Sequence, residues 1–244
     1  MDVNIRNVSV WYAHCDESPM EQAIQQGESE ISWPKLAFVP PMQRRRLSPF
    51  AKIALLVADK SIGDIKSKLP IVFSSRHGDL AKTSTLLADL VNDNALSPTA
   101  FGLSVHNAIP SLFSILTDNK QAVNAISAGQ DSFMMGLIDT YSRLKSGLAD
   151  EILFIHADQK LPDTYLGFQD EQQLSHALSM VISLPTNKIL TDGEQNISFS
   201  FEHFSKTVLS NIPASLLFMQ WYNSAQQQAL LPTSNYNWSL EKHV

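Results

Sequence analysis

Seven histidines, His14, His77, His106, His156, His176, His203 and His243, are the first residues in this 244-residue chain to suggest chemistry. None recurs at the HxH, HxxxH or HExxH spacing that turns two imidazoles toward one ion, so no metal site is expected. The single cysteine, Cys15, excludes an intramolecular disulfide and a cysteine-based zinc site. The glycines form neither a dinucleotide fingerprint, nor a phosphate-binding loop, nor a serine nucleophile elbow, and no cofactor is expected. What remains is Ala125-Ile126-Ser127-Ala128-Gly129-Gln130-Asp131-Ser132-Phe133, where an apolar run passes through small residues into a helical pattern. Such a turn can place a side chain at a helix N-terminus, where free N–H groups favour negative charge. Enzymes carry nucleophiles there. Ser127 is the candidate, but a serine needs a positioned base and the sequence marks none.

A second candidate is Arg44-Arg45-Arg46, the one dense basic run. It reads either as the solvated end of a helical region or as a docking point for an acidic partner. Three forked guanidinium groups would offer several donors to carboxylate or phosphate.

The elements that must position these residues follow from periodicity. Residues 3–12 alternate as a half-buried strand does. A proline-punctuated loop follows, and Ser48 then caps a helix with Pro49 at its first position, its apolar face running through Phe50, Ile53, Ala54, Val57 and Ala58. Residues 70–75 predict a buried strand, and 79–92 a helix with Leu80, Leu87 and Val91 on one side. Further helices are expected at 110–117 and from about Asp131 to Lys145, and strands at 121–127, 151–157 and 177–184. Strands alternating with helices indicate an α/β layered domain. The division expected is an α/β domain over 1–184 and an aromatic-rich C-terminal extension over 185–244, holding Phe199, Phe201, Phe204, Phe218, Trp221 and Trp238, that packs on it.

Composition narrows the function classes. Charged residues make up 17% of the chain, below the usual quarter, which suits a large buried protein interface. The net charge of −6 argues against a general nucleic-acid binder, which needs clustered positive charge. No apolar run approaches the length of a membrane span, and the N-terminus does not read as a signal peptide. With one unpaired cysteine, a cytoplasmic location is expected.

Four segments, in order, carry a resemblance. "RRRLSPFAKIALLVA", "SVHNA…SLFSI", "AISAGQDSF" and "EILFIHADQKLP" resemble the β-ketoacyl synthase N-terminal domain, specifically the short ketosynthase-like proteins of bacterial aryl polyene clusters. The resemblance spans roughly residues 20–240 and implies a thiolase-like layered half-fold, a single N-terminal ketosynthase-type unit. Catalytic members carry a cysteine in the strand–turn–helix, where a helix N-terminus lowers the thiol's pKa. The matching position here is taken to be Ser127, and Cys15 lies too early to serve. A full ketosynthase also draws two histidines from a second half, and this chain resembles the first half alone. The resemblance therefore implies a silent, chain-length-factor-like subunit that makes no carbon–carbon bond itself. It would form a heterodimer with a catalytic β-ketoacyl synthase and shape that enzyme's acyl tunnel in a polyketide- or fatty-acid-like pathway of a Gram-negative bacterium.

It further implies interface residues at Gln121, Ala122, Val123, Asn124, Ala125 and Ile126, with His106 and Asn107 nearby. Phe101, Leu103, Leu112, Phe113 and Leu116 become candidates for closing the partner's tunnel, each with core packing as its ordinary alternative. Arg44, Arg45 and Arg46 become candidates for docking an acyl carrier protein. The rival reading is an acyl hydrolase or decarboxylase that uses Ser127 on carrier-protein-bound chains.

Overall fold

The computed structural model describes residues 1–13, 32–63, 65, 68–172, 174–187, 189–203 and 210–243. Cys15, His14 and Phe204 lie outside the described residues. β1 (Asp2–Tyr12) is a strand as expected, but Val3, Asn4 and Ile5 are all buried, so this end of it is covered on both faces rather than half-buried. It is interrupted by an irregularity between Arg6 and Ser9, where Asn7 adopts φ +52°. α1 (Pro41–Arg44) is a single turn inside the proline-punctuated loop. α2 (Pro49–Ile62) starts as its sequence predicts: the Ser48 hydroxyl accepts from the Ala51 N–H at 3.1 Å, and Pro49 fills the first position.

Then follow β2 (Ile71–Ser74), α3 (Leu80–Val91), α4 (Pro98–Gly102), α5 (Ala108–Leu116), β3 (Val123–Ile126), α6 (Ser132–Lys145) and β4 (Glu151–Asp158). A 3-10 segment (Asp163–Phe168) leads to β5 (His176–Ser183), β6 (Gln195–His203), α7 (Ala214–Tyr222), β7 (Gln228–Pro232) and β8 (Tyr236–His243). The helix at 79–92 forms, but its buried residue is Leu86, while Leu87 and Val91 are exposed. Its expected face finds no sheet to cover it, because α3 packs beside α4 instead.

Among the described residues the strands join one eight-stranded sheet in the order β3-β2-β4-β5-β1-β6-β8-β7. β3, β2 and β4 run parallel; every pairing beyond β4 is antiparallel. Arg6 and Glu151 form a forked ion pair that spans β5 and ties β1 to β4. The sheet is covered on both faces from β2 to β1, whereas β6, β8 and β7 leave Ser200, Glu202, Leu230, Ser239 and Glu241 exposed. One apolar cluster joins α2 and α5 to Phe73, Leu153, Ile155 and Val181. The other joins α6 and α7 to Val72, Phe154, Met180, Phe199 and Trp238. β6, β8 and β7 continue the sheet past β1, and Phe201 packs against Trp238 with the rings tilted and their centroids 5.0 Å apart.

α6 lies unusually close to the sheet. A Cβ on Gly136 would sit 2.7 Å from the Phe154 ring and 2.9 Å from the Ser74 Cβ, so glycine alone permits this approach. No helix among the described residues is long and apolar enough to cross a membrane.

Candidate functional site

The carboxyl ends of β2, β3 and β4 lie side by side, and the polar residues gather there. β2 ends in Ser74 and runs into the turn Ser75-Arg76-His77-Gly78-Asp79. Asp158, at the end of β4, holds that turn. Its carboxylate accepts from the Ser75 hydroxyl at 2.9 Å, the Arg76 N–H at 2.9 Å and the His77 N–H at 3.2 Å. Burial opposes the Asp158 charge, but the His156 bond, the neighbouring imidazoles and the Arg76 N–H outweigh it and hold the carboxyl well below its ordinary range.

His156 is 2% exposed and spans Ser74 and Asp158. A carboxylate only accepts, so His156 Nε2 donates to Asp158 at 3.3 Å, and Nδ1 accepts from the Ser74 hydroxyl at 2.8 Å. His176 stands beside it, ring centroids 5.6 Å apart. Its Nδ1 donates to the Leu174 carbonyl at 2.7 Å, and its Nε2 accepts from the Ser215 hydroxyl at 2.6 Å. Burial, and the proximity of His156, push His176 down to about 4.

Both serine–histidine arrangements have hydrolytic order, and both are sealed. Ser74 is fully buried beneath Gly136, and Ser215 is 1% exposed. The cavity touching His156, Asp158, Ser132 and Ser215 has about 20 Å³, room for a single water. A reacting ester has no space there.

The two stretches singled out in the sequence both meet the β2 turn. His106 packs over Gly78, where a Cβ would fall 2.9 Å from the imidazole and φ is +62°, so the close approach requires glycine. Ser127 donates to the Arg76 carbonyl at 3.0 Å. A carbonyl cannot take up a proton, so this contact does not activate the hydroxyl.

Nor does Ser127 stand at the helix N-terminus. α6 begins at Ser132, and Ala128-Gly129-Gln130-Asp131 intervene. The helix start is satisfied internally: the Ser132 hydroxyl accepts from the Ala128 N–H at 2.9 Å and donates to the Gly129 carbonyl at 2.7 Å. The buried Asp131 carboxylate accepts from Trp238 Nε1 at 2.9 Å, from Asn235 at 2.9 Å and from the Thr233 hydroxyl, bracing the turn with the β7–β8 hairpin.

The remaining candidates separate by exposure. Val123, Asn124, Ala125 and Ile126 form the outermost strand and are half-buried, while Gln121 and Ala122 before them are exposed. Asn107 is exposed and His106 half-buried. Phe113 lies in the core against Phe38, with Leu112 and Leu116 packed on the same cluster. Leu103 is half-buried, and Phe101 is 61% exposed. Arg45 and Arg46 are exposed, whereas Arg44 donates to the Leu36 carbonyl.

Residues 16–241 match the family of β-ketoacyl synthase N-terminal domains. The chain belongs to that family. Its fold is the thiolase-like ketosynthase fold, as a single N-terminal unit. Among solved structures it is similar to the ketosynthase (ApeO) in complex with its chain length factor (ApeC) from Xenorhabdus doucetiae, with TM-score 0.80, 21% identity and 99% of each chain covered. It is also similar to the ishigamide ketosynthase/chain length factor, with TM-score 0.61, 13% identity, and 83% of this chain and 68% of that one covered. A β-ketoacyl synthase from Burkholderia phymatum STM815 gives TM-score 0.61 and 13% identity, over 82% of this chain and 64% of that one. No curated protein matches the sequence.

Arg76, His156, Asp158 and Glu171 share one cavity wall, and sequence reasoning assigned none of them a role there. His156 and Asp158 lie in the EILFIHADQKLP segment, but no spacing there marks either as a site residue.

Proposed function

We propose that this ketosynthase-family chain is a non-catalytic, chain-length-factor-like subunit that pairs with a β-ketoacyl synthase and shapes its acyl tunnel. The observation that carries the reading is the strand before the turn. β3 is an end strand of the sheet and, among the described residues, pairs only with β2, leaving its outer edge of N–H and C=O groups open beside a turn that holds no thiol. An unpaired edge is a template for another chain. Gln121–Ile126, with His106 and Asn107, form the contact in this reading, and an obligate interface of that kind buries on the order of 2,000 Å² or more.

Phe101, the most exposed of the five tunnel-closing candidates, is the side chain taken to reach the partner's tunnel in this reading, with Leu103 after it. The expected setting is aryl polyene biosynthesis in the cytoplasm of a Gram-negative bacterium, with an acyl carrier protein docking at Arg44, Arg45 and Arg46. The Ser127 hydrolase reading is disfavoured by the carbonyl that Ser127 faces.

Val123→Pro tests the pairing, because proline removes a ladder donor. Sedimentation of the chain with its ketosynthase should show a heterodimer that the variant fails to form. A folded monomer that ignores the ketosynthase would refute the reading.

A further inference from the structure

In open sheets, ligands bind in the crevice beyond the carboxyl ends of parallel strands. In this chain the crevice beyond β2, β3 and β4 is covered by the connection between β4 and β5. The 3-10 segment Asp163–Phe168 leads into Gln169-Asp170-Glu171, where two neighbouring carboxylates come down on one guanidinium. Arg76 Nη2 donates to Asp170 at 2.7 Å, and Arg76 Nη1 donates to Glu171. Gln130, from the turn before α6, reaches the same Asp170 oxygen at 3.5 Å. Beneath lies the water-sized cavity, with Arg76, Gln130, Ser132, Asp158, Glu171 and Ser215 in its wall.

We propose that residues 163–171 form a pH-sensitive strap over the strand-end site, with Arg76 as its catch and Glu171 as the group whose ionisation releases it. The reason is a local excess of carboxylate. Facing Glu171 are Arg76 from the β2 turn, Asp158 from β4 and Asp170 from the strap itself. His77 adjoins Arg76 on the β2 turn, His156 donates to Asp158, and His176 lies behind it on β5.

Arg76 is the one fixed cation in this group, against three carboxylates. Burial works against its charge, yet the bonds and charges of Asp170 and Glu171 raise its pKa above the ordinary value, so it remains the cation throughout. Asp158 stays ionised because backbone N–H groups and His156 are committed to it. Asp170 is half-exposed, and its bond to Arg76 lowers it despite partial burial. Glu171 is 7% exposed and carries the cost: burial pushes it up to about 7, Arg76 offsets this only in part, and the Asp170 and Asp158 charges add to it.

The sign follows from linkage. Glu171 has its raised pKa in the closed strap and its ordinary value of 4.5 when released to water. Protonation therefore favours closure, fully so below about 4.5, and that preference is lost as pH rises through about 7. The opening constant should rise roughly 70-fold between about pH 5 and about pH 8. Release would uncover Ser132 and Ser215 in the cavity wall, and would free Leu166 and Phe168, which the closed strap already holds at 40% and 79% exposure.

Amide hydrogen exchange on the full chain, corrected for intrinsic base catalysis, tests this without any ketosynthase present. Protection over residues 163–171 should fall by roughly that factor from about pH 5 to about pH 8, while α6 keeps its own. Glu171→Gln should hold the strap closed and abolish the dependence, and Asp170→Asn should move the midpoint down. Strap protection that tracks α6 at every pH, or a dependence that survives Glu171→Gln, would overturn the proposal. Should Glu171→Gln not fold, carboxyl NMR titration of the unaltered chain decides: a Glu171 resonance that titrates in the ordinary glutamate range overturns it.

Discussion

Asp131→Ala should unfasten the β7–β8 hairpin from the start of α6. Asp131 is 1% exposed, and its carboxylate serves Trp238 Nε1, the Asn235 amide and the Thr233 hydroxyl. Thr233 has a second acceptor in the Tyr236 carbonyl at 2.9 Å, so it can turn away. Trp238 cannot: its side chain is 0% exposed, and truncation strands its N–H in the core. An orphaned buried donor costs about 1–3 kcal/mol, and the partly buried Asn235 adds about 1. The expected loss is ~3 kcal/mol, or about 6–12 °C in Tm for a chain of this size. Asp131→Asn retains one acceptor oxygen and should lose roughly half as much. Urea unfolding followed by near-ultraviolet circular dichroism reads both stability and the Trp238 environment. A loss below about 1 kcal/mol for Asp131→Ala would refute the bracing role.

Two further outcomes are expected. Phe113→Ala should cost roughly 3–5 kcal/mol as an ordinary core truncation, whereas Phe101→Ala should stay within about 0.5 kcal/mol and change the length of the product made by the assembled complex. Parental chain length from an assembled Phe101→Ala complex would remove Phe101 as a gate. His176, pushed down to about 4 from an ordinary 6.5, contributes stability that is present above about 6.5 and lost as pH falls through about 4. Glu171 acts in the opposite sense over much of that range, so the quantity to follow is the urea midpoint of the parent minus that of His176→Asn. That difference should shrink on acidification, and a flat difference would contradict the buried neutral imidazole.

Much of the fold was legible because its signals are local. The alternation of residues 3–12, the Ser48-Pro49 helix start and the apolar runs of β2 and β4 each state their structure within a few residues. The outer face of α3 was misjudged because periodicity shows where an apolar stripe lies, not whether anything covers it. β6 was legible in principle, since Ile197, Phe199 and Phe201 alternate, but the turns around it gave no boundary. The site was harder. Ser127 was found as the residue following a strand, yet the helix starts at Ser132, and a turn of small residues does not declare its length. His156 and Asp158 act through Ser74, Ser75 and Arg76, which lie 82–83 residues away in sequence. Only the parallel register of β2 with β4, with Ser74 opposite His156, brings them together.

The most direct test of the silent-partner reading is a reconstituted condensation with primed and malonyl-charged acyl carrier protein, followed by mass spectrometry of the carrier-bound chain. The purified chain alone should give no extended product, the ketosynthase with this chain should give a defined chain length, and Ser127→Ala should leave that outcome unchanged. Extended product from the chain alone, lost in Ser127→Ala, would contradict the account.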